Sequence, residues 1–414
     1  MIRILDSSQV DFLLRRRQAR IEHAEKTVRP ILEAVRKRGD AAVIQYARNF
    51  DGFNRDSLAV PPAEWKAAWK RLQPSLRAAF RVAAANIRAF ASLQLPKAFR
   101  AEIAPGLKLG QEIRPLDTVA AYIPGGRYPL PSTLLMTAIP ARVAGVSRIC
   151  AASPRLADPV LGAAAFLKVD SVFEMGGAHA IAAFAYGTKT VPRADRIVGP
   201  GNIYVAAAKK VLAGETGIDF VAGPTEILII ANDAQPRWIA ADMLAQAEHD
   251  TDASAVLLTT SKKLATAVSA EIERQLHSLP TQSVARKAID RNSAIVLVPS
   301  DEEAVAISNR FAPEHLSLHD PKLLPGIRNA GSIFLGPNSP EAAGDYAAGP
   351  NHVLPTGGLA RLRGGLSVLD YVKVISVQQL NKPALASLAP AITALARAEG
   401  LEAHARSVEV RTNG

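Results

Sequence analysis

The chain has 414 residues, 48% of them hydrophobic and 21% charged, the balance of a folded globular protein with more than one core. The formal net charge of +11 raises nucleic acid as a partner, but the basic residues are scattered and their short clusters (Arg15 to Arg17, Lys209-Lys210, Lys262-Lys263, Arg361 to Arg363) do not interleave with aromatics. Cys150 is the single cysteine, which excludes an intrachain disulfide and a multi-cysteine zinc site, so any metal must take nitrogen and oxygen ligands.

Residues 1–20 read as a short arm. Residues 21–50 and 62–92 carry helical periodicity, and 97–111 turns toward strands. Thr118 to Ile123 is an apolar strand, followed by the turn-rich Pro124-Gly-Gly-Arg-Tyr-Pro-Leu-Pro and a helix that Ser132 or Thr133 can cap. Strand and helix then alternate: strands at 146–151, 171–175 and 197–198, helices at 158–167, 178–186 and 203–212. A second alternating run has strands at 226–231, 253–259, 294–298 and 331–335, with helices at 236–248, 262–276 and 301–311. This is α/β grammar with mainly parallel sheets. Residues 340–366 are rich in glycine and proline without a regular period, a length of loop that is uncommon unless functional. Residues 382–398 return to helix, and a small basic tail follows. No apolar stretch is long enough to span a bilayer and no signal-peptide pattern is present, so a cytoplasmic protein without a membrane partner is expected.

The polar residues that could carry chemistry fall in a few segments. In Gln246-Ala-Glu-His249 the outer two side chains are three residues apart on a helical pattern and can point at one spot. With Asp345 in the long loop and His404 near the end, they make a set of nitrogen and oxygen donors suited to a catalytic zinc. Each is also readable as an ordinary polar residue, and sequence alone says nothing of how near His404 lies to the others. In Phe311-Ala-Pro-Glu314-His315 the proline ends a helix. The adjacent carboxylate and imidazole then read either as an exposed polar turn or as a general acid–base pair, with His315 taking a proton from an alcohol and Glu314 activating water. The glycine-rich segments Pro124-Gly-Gly, Gly176-Gly177, Gly199-Pro-Gly-Asn202 and Ala222-Gly-Pro-Thr225 each follow a strand, where open α/β sheets bind ligands. None of them is a GxGxxG fingerprint. Cys150, inside a strand, reads as a buried small hydrophobe, which disfavours a thiohemiacetal route.

Together these segments resemble the histidinol dehydrogenase family over essentially the whole chain. The matching stretches are Tyr122-Ile-Pro-Gly-Gly, 138–146, 199–205, 222–231, Gln246-Ala-Glu-His249, Phe311-Ala-Pro-Glu-His-Leu, 343–356 and Glu399-Gly-Leu-Glu-Ala-His404. The resemblance implies a fold of two incomplete Rossmann-like α/β domains plus small N-terminal and C-terminal domains, in a domain-swapped homodimer. The corresponding division here is 1–20 as an arm, 21–121 together with 223–366 as the main domain, 122–222 as the cofactor domain, and 367–414 as a small domain reaching the partner subunit. It implies one zinc per subunit on Gln246, His249, Asp345 and His404, the last from the partner. Glu314 and His315 are implied as the catalytic pair. Thr225, His352 and Glu399 are implied at the substrate beside the zinc and catalytic residues, and Tyr122, His179 and Asn202 at NAD. His179 stands where the family commonly has glutamine, and Thr225 where many members have serine. The implied reaction is oxidation of L-histidinol through L-histidinal to L-histidine at the expense of two NAD, the last steps of histidine biosynthesis. Two alternatives stand beside it: a zinc- and NAD-dependent dehydrogenase of another small alcohol, such as a sulfonated propanediol, and a non-catalytic basic binding protein.

Overall fold

The computed structural model describes residues 1–414 except 12, 14–18, 126–127, 222 and 413–414. The cluster Arg15 to Arg17, Arg127 with its neighbour Gly126, and Ala222 lie outside the described residues. Fourteen strands are described: β1 (Arg3–Asp6), β2 (Phe99–Ala104), β3 (Leu107–Pro115), β4 (Thr118–Tyr122), β5 (Arg148–Ser153), β6 (Ser171–Glu174), β7 (Arg196–Val198), β8 (Gly217–Ile218), β9 (Glu226–Ile230), β10 (Ser254–Thr259), β11 (Ala294–Leu297), β12 (His315–Leu318), β13 (Ser332–Leu335) and β14 (Val372–Leu380). The chain divides into two compact units, Met1–Gln94 with Leu116–Tyr371, and Leu95–Pro115 with Val372–Gly414.

The larger unit holds two parallel sheets. One has five strands in the order β6-β5-β4-β7-β8, the other six in the order β1-β11-β10-β9-β12-β13. Their central strands are runs of Ile, Leu, Val and Ala buried on both faces, as at β9, because helices cover a parallel sheet on both sides. In the five-stranded sheet the order reverses at β4, so the loops after β4 and β7 open side by side at the carboxyl ends of the strands. Gly199, just after β7, has φ +114° and lies so close to the Tyr122 carbonyl that a Cβ would come within 2.1 Å of it. A buried ion pair fixes this loop. Lys209 Nζ donates to Asp219 Oδ1 and to the Gly199 carbonyl, both at 2.6 Å, and Asp219 Oδ2 accepts from Gly199 N at 2.8 Å.

The arm is not free of the sheets, since Arg3–Asp6 form the edge strand β1 against β11. The N-terminal helices, expected with residues 223–366, pack on the five-stranded sheet instead. Ala19–Arg38 and Asp40–Asp51 share a core with the helices Gly177–Tyr186 and Ile203–Leu212. Trp69, on Pro62–Arg71, stacks on Phe166 at 5.3 Å. Periodicity marks which face of a helix is apolar, but not which sheet that face meets. The helix after β4 starts at Pro131 with Leu130 before it, without a cap from Ser132 or Thr133. The long loop contains a short helix, Glu341–Tyr346, and a single turn at Leu359–Arg361. Cys150 lies buried in β5, and burial pushes its thiol up to about 12.

The smaller unit is an antiparallel sheet, β14-β3-β2, with the helices Lys382–Ala398 and Glu402–Thr412, the latter in place of the expected tail. It starts at Val372 rather than 367 and takes in the hairpin 95–115, which sequence reading had assigned to the main domain. Its strands are mostly exposed, including Phe99, Ile103 and Val374.

Candidate active site

The six-stranded sheet gathers its polar residues at the amino ends of β9 and β12, opposite to the end where open α/β sheets usually bind ligands. The helix Asp301–Phe311 ends at Ala312, whose left-handed conformation (φ 48°) turns the chain sharply. Pro313 and Glu314 then lie along Gly331. Gly331 N donates to the Pro313 carbonyl and Ser332 N to the Glu314 carbonyl, each at 2.9 Å. A Cβ on Gly331 would come within 2.6 Å of that Glu314 oxygen, so glycine is required. Glu314 and His315 are therefore buried at a strand start, not displayed on an exposed turn.

Glu314 Oε2 lies 2.5 Å from the Thr225 hydroxyl and accepts from Glu226 N at 2.8 Å. Burial raises its pKa, and His315, Thr225 and Glu226 N–H work against that rise. Gly223, just before Thr225, is tied by its N–H to the Thr356 hydroxyl. Thr225 Oγ1 is also 2.6 Å from the Gln246 side-chain amide. With the amide oxygen turned to Thr225, the amide nitrogen donates to Glu341 Oε1 and Oε2 at 2.5 and 2.9 Å, and the single Thr225 hydrogen is shared between Gln246 and Glu314. Gln246 is fully buried near the end of the helix Pro236–Ala247. That helix stops before His249, which stands in the following turn with its ring half-exposed, so the pair does not share one regular helix face.

His315 Nδ1 is 3.3 Å from the Glu226 carbonyl, 3.5 Å from Glu341 Oε1 and 3.7 Å from Glu314 Oε2. Its Nε2 is buried without a hydrogen-bond partner, 3.6 Å from Asp345 Oδ1. Burial opposes the imidazolium, but Glu341, Glu314 and Asp345 outweigh it and push His315 up to about 10. Asp345 is held below the usual carboxylate range. Burial opposes this too, but the facing His315 imidazole, with His352 and His249 beyond it, prevails. His352 donates from Nδ1 to the Asp345 carbonyl at 2.7 Å, which leaves Nε2 facing the Thr133 hydroxyl at 3.5 Å, on the helix that follows β4. His352 thus stands between the cluster and the five-stranded sheet.

The residues present fit a divalent cation. His249, Glu341 and Asp345 each bring one ligand atom within 4.8 Å of the others, with His249 Nε2 3.9 Å from Asp345 Oδ2. Glu314, Glu341 and Asp345 crowd one imidazole as buried oxygen donors that a bound cation would favour in their ionised form, and the donors are all nitrogen and oxygen.

A model of the family described as histidinol dehydrogenase matches residues 14–412. The chain belongs to the histidinol dehydrogenase family. It is similar to the histidinol dehydrogenase of Thermus thermophilus, 51% identical over 393 residues that cover 94% of each chain. It is 48% identical to that of Synechococcus sp. over 402 residues, 94% of this chain and 93% of the other. A crystal structure of histidinol dehydrogenase from Elizabethkingia anophelis superposes with a TM-score of 0.95 at 36% identity, covering 100% of this chain and 98% of that one. As a member of the histidinol dehydrogenase family the chain is an oxidoreductase, and the non-catalytic reading falls away. Among the described residues, no helix is long and apolar enough to cross a membrane.

The residues assigned to NAD by family resemblance lie at the carboxyl ends of the five-stranded sheet. The buried Tyr122 hydroxyl accepts from Gly177 N at 3.2 Å. Asn202 caps the helix Ile203–Leu212, accepting from Tyr204 N and Val205 N at 3.1 Å. His179 Nε2 lies 2.9 Å from Asp51 Oδ2, which also accepts from Gly176 N at 2.8 Å. Thr225, Gln246, His249, Glu314, His315, Asp345 and His352 are thus brought together in the larger unit. Glu399 and His404 belong to the smaller one, where both are exposed. Sequence reading missed Glu341. A glutamate opening a helix four residues before Asp345 was the available signal, since that spacing sets both on one face.

Proposed function

We propose that this enzyme oxidises L-histidinol through bound L-histidinal to L-histidine, consuming two NAD and one water. The observation that carries the reading is the buried His315 imidazole, whose Nε2 lies 3.6 Å from Asp345 Oδ1 without a hydrogen-bond partner and whose Nδ1 lies 3.7 Å from Glu314 Oε2. With a cation at the site to offset the carboxylates that hold the ring protonated, Nε2 would be placed to accept the proton of a substrate hydroxyl. Glu314 is buried next to it and supports the second half-reaction, in which a carboxylate takes a proton from the water that attacks the aldehyde. Its bonds to Thr225 and Glu226 N fix one oxygen and leave the other for that water. The amide of Gln246, His249 and Asp345 would hold zinc, together with His404 from the partner subunit of a homodimer. Bound zinc would supply a template that orients the substrate's nitrogen atoms, and bound NAD the hydride acceptor. The exposed apolar side chains of the smaller unit, among them Phe99, Ile103, Val374 and Leu395, support its burial against a second copy. His352 and Glu399 would line the substrate. Tyr122, His179 and Asn202 would contact NAD at the open end of the five-stranded sheet, with Thr133 and His352 linking that end to Asp345.

The test is the NADH formed per L-histidinol by zinc-loaded protein in excess NAD. Two equivalents with histidine as product are expected. Absence of NADH would remove histidinol as the substrate and turn attention to other small alcohols.

A further inference from the structure

Glu341 is almost fully buried, at 3% exposure. A carboxylate in so dry a place is costly unless other groups need it. Besides the metal-ligand candidates His249 and Asp345, two groups with hydrogens to give approach it. The Gln246 amide nitrogen lies 2.5 and 2.9 Å from its two oxygens, and His315 Nδ1 lies 3.5 Å from Oε1.

The consequences for those partners follow from donor and acceptor identity. The His315 Nδ1 edge faces the Glu226 carbonyl and the Glu341 carboxylate, and both are acceptors, so Nδ1 carries a hydrogen. Nε2 is then the nitrogen that gains or loses the working proton, and the ring plane holds it toward Asp345. At Gln246 the same carboxylate takes the amide hydrogens and so turns the amide oxygen to the Thr225 side. A single side chain thereby sets the orientation of a proposed base and of a proposed metal ligand.

We infer that Glu341 is a positioning residue of this site, orienting the His315 imidazole and the Gln246 amide at once. The inference rests on the proposed histidinol reaction for its kinetic readout, but not for its metal readout. Outer carboxylates of this kind are worth about 10- to 100-fold in metal affinity or activity.

The experiment compares the full-length protein with E341Q, which keeps the shape but replaces one acceptor oxygen with a donor. Zinc affinity, read by chelator competition without substrate, is expected to fall about 10- to 100-fold. Turnover of L-histidinol should fall by a similar factor while KM for NAD stays within about threefold. Deuterium at the carbinol carbon should slow E341Q more than the parent, because a misaligned base makes hydride removal limiting. Cobalt-loaded parent and E341Q should show the same coordination number in their ligand-field spectra. If E341Q does not fold, E341D carries the test. Its carboxylate is one methylene short of reaching both partners, so turnover intermediate between parent and a dead enzyme is expected. Parent-like zinc affinity and turnover in a folded variant would overturn the inference, as would loss of one ligand from the cobalt spectrum, which would put Glu341 on the metal. Failure of the parent itself to form NADH would instead overturn the proposed function, with the zinc comparison still decisive for Glu341.

Discussion

Thr225 is the residue through which the proposed water-activating carboxylate is most directly perturbed. Thr225→Val keeps the shape of the side chain and removes its oxygen. Glu314 Oε2 then loses its 2.5 Å partner and keeps only Glu226 N at 2.8 Å, and the Gln246 amide loses its 2.6 Å contact. A hydrogen bond to a charged group contributes about 1.5–3 kcal/mol, which at 1.36 kcal/mol per decade is roughly 10- to 150-fold in rate. The loss should fall on the half-reaction that uses Glu314. With L-histidinal supplied directly, NADH formation by T225V should drop about 10- to 150-fold, while oxidation of L-histidinol to the aldehyde drops less. Thr225→Ser keeps the hydroxyl and deletes one methyl, so it should cost roughly 1 kcal/mol of stability and leave the aldehyde step within about threefold. Stopped-flow absorbance of NADH with each substrate, at equal zinc content, separates the two. Parent-like oxidation of L-histidinal by T225V would refute the assignment of Glu314 through Thr225.

Three further outcomes follow from the same coordinates. Lys209→Met leaves Asp219 buried without its 2.6 Å partner and should cost about 3–5 kcal/mol in urea unfolding, with a raised KM for NAD because the Gly199 loop loses its anchor; an unchanged midpoint would show that the pair contributes nothing. Burial lifts Asp242 from 3.8 to about 6, and a raised carboxyl favours the protonated folded state. Wild-type stability from this group is therefore full below about pH 4 and declines as pH rises through about 6, by roughly 3 kcal/mol at most. Asp242→Asn should show its stabilising effect at pH 8 and not at pH 4, and an equal effect at both would contradict the burial argument. Removing metal with a chelator should abolish NADH formation, and adding zinc back at about 100 times Kd should restore it and stabilise the fold by about 2.7 kcal/mol. A thermal midpoint indifferent to zinc would count against a metal held by Gln246, His249 and Asp345.

Much of the molecule is legible in its sequence. The alternation of buried apolar runs with helical periods marked most of both parallel sheets, and the glycine segments marked the turns at their strand ends. Gln246 with His249, Glu314 with His315, and Asp345 stood out as polar side chains clustered in a few segments. Strand β14 and the hairpin partners of the smaller unit were harder to read, because their exposed strands carry no buried face to impose a clean period.

The sequence by itself determined which residue types could do acid–base and metal chemistry, and that the chain is α/β, since side-chain chemistry and local periodicity are written in the residues. Tertiary structure alone decided that Glu314 and His315 start a buried strand, and that the candidate site residues gather at the amino ends of β9 and β12. It also decided that the N-terminal helices cover the five-stranded sheet, and that Glu341 stands between Gln246 and His315. These are facts of long-range packing. Glu341 is separated from its partners by tens of residues of chain, and only the parallel register of β9, β12 and β13 brings those segments within hydrogen-bond reach.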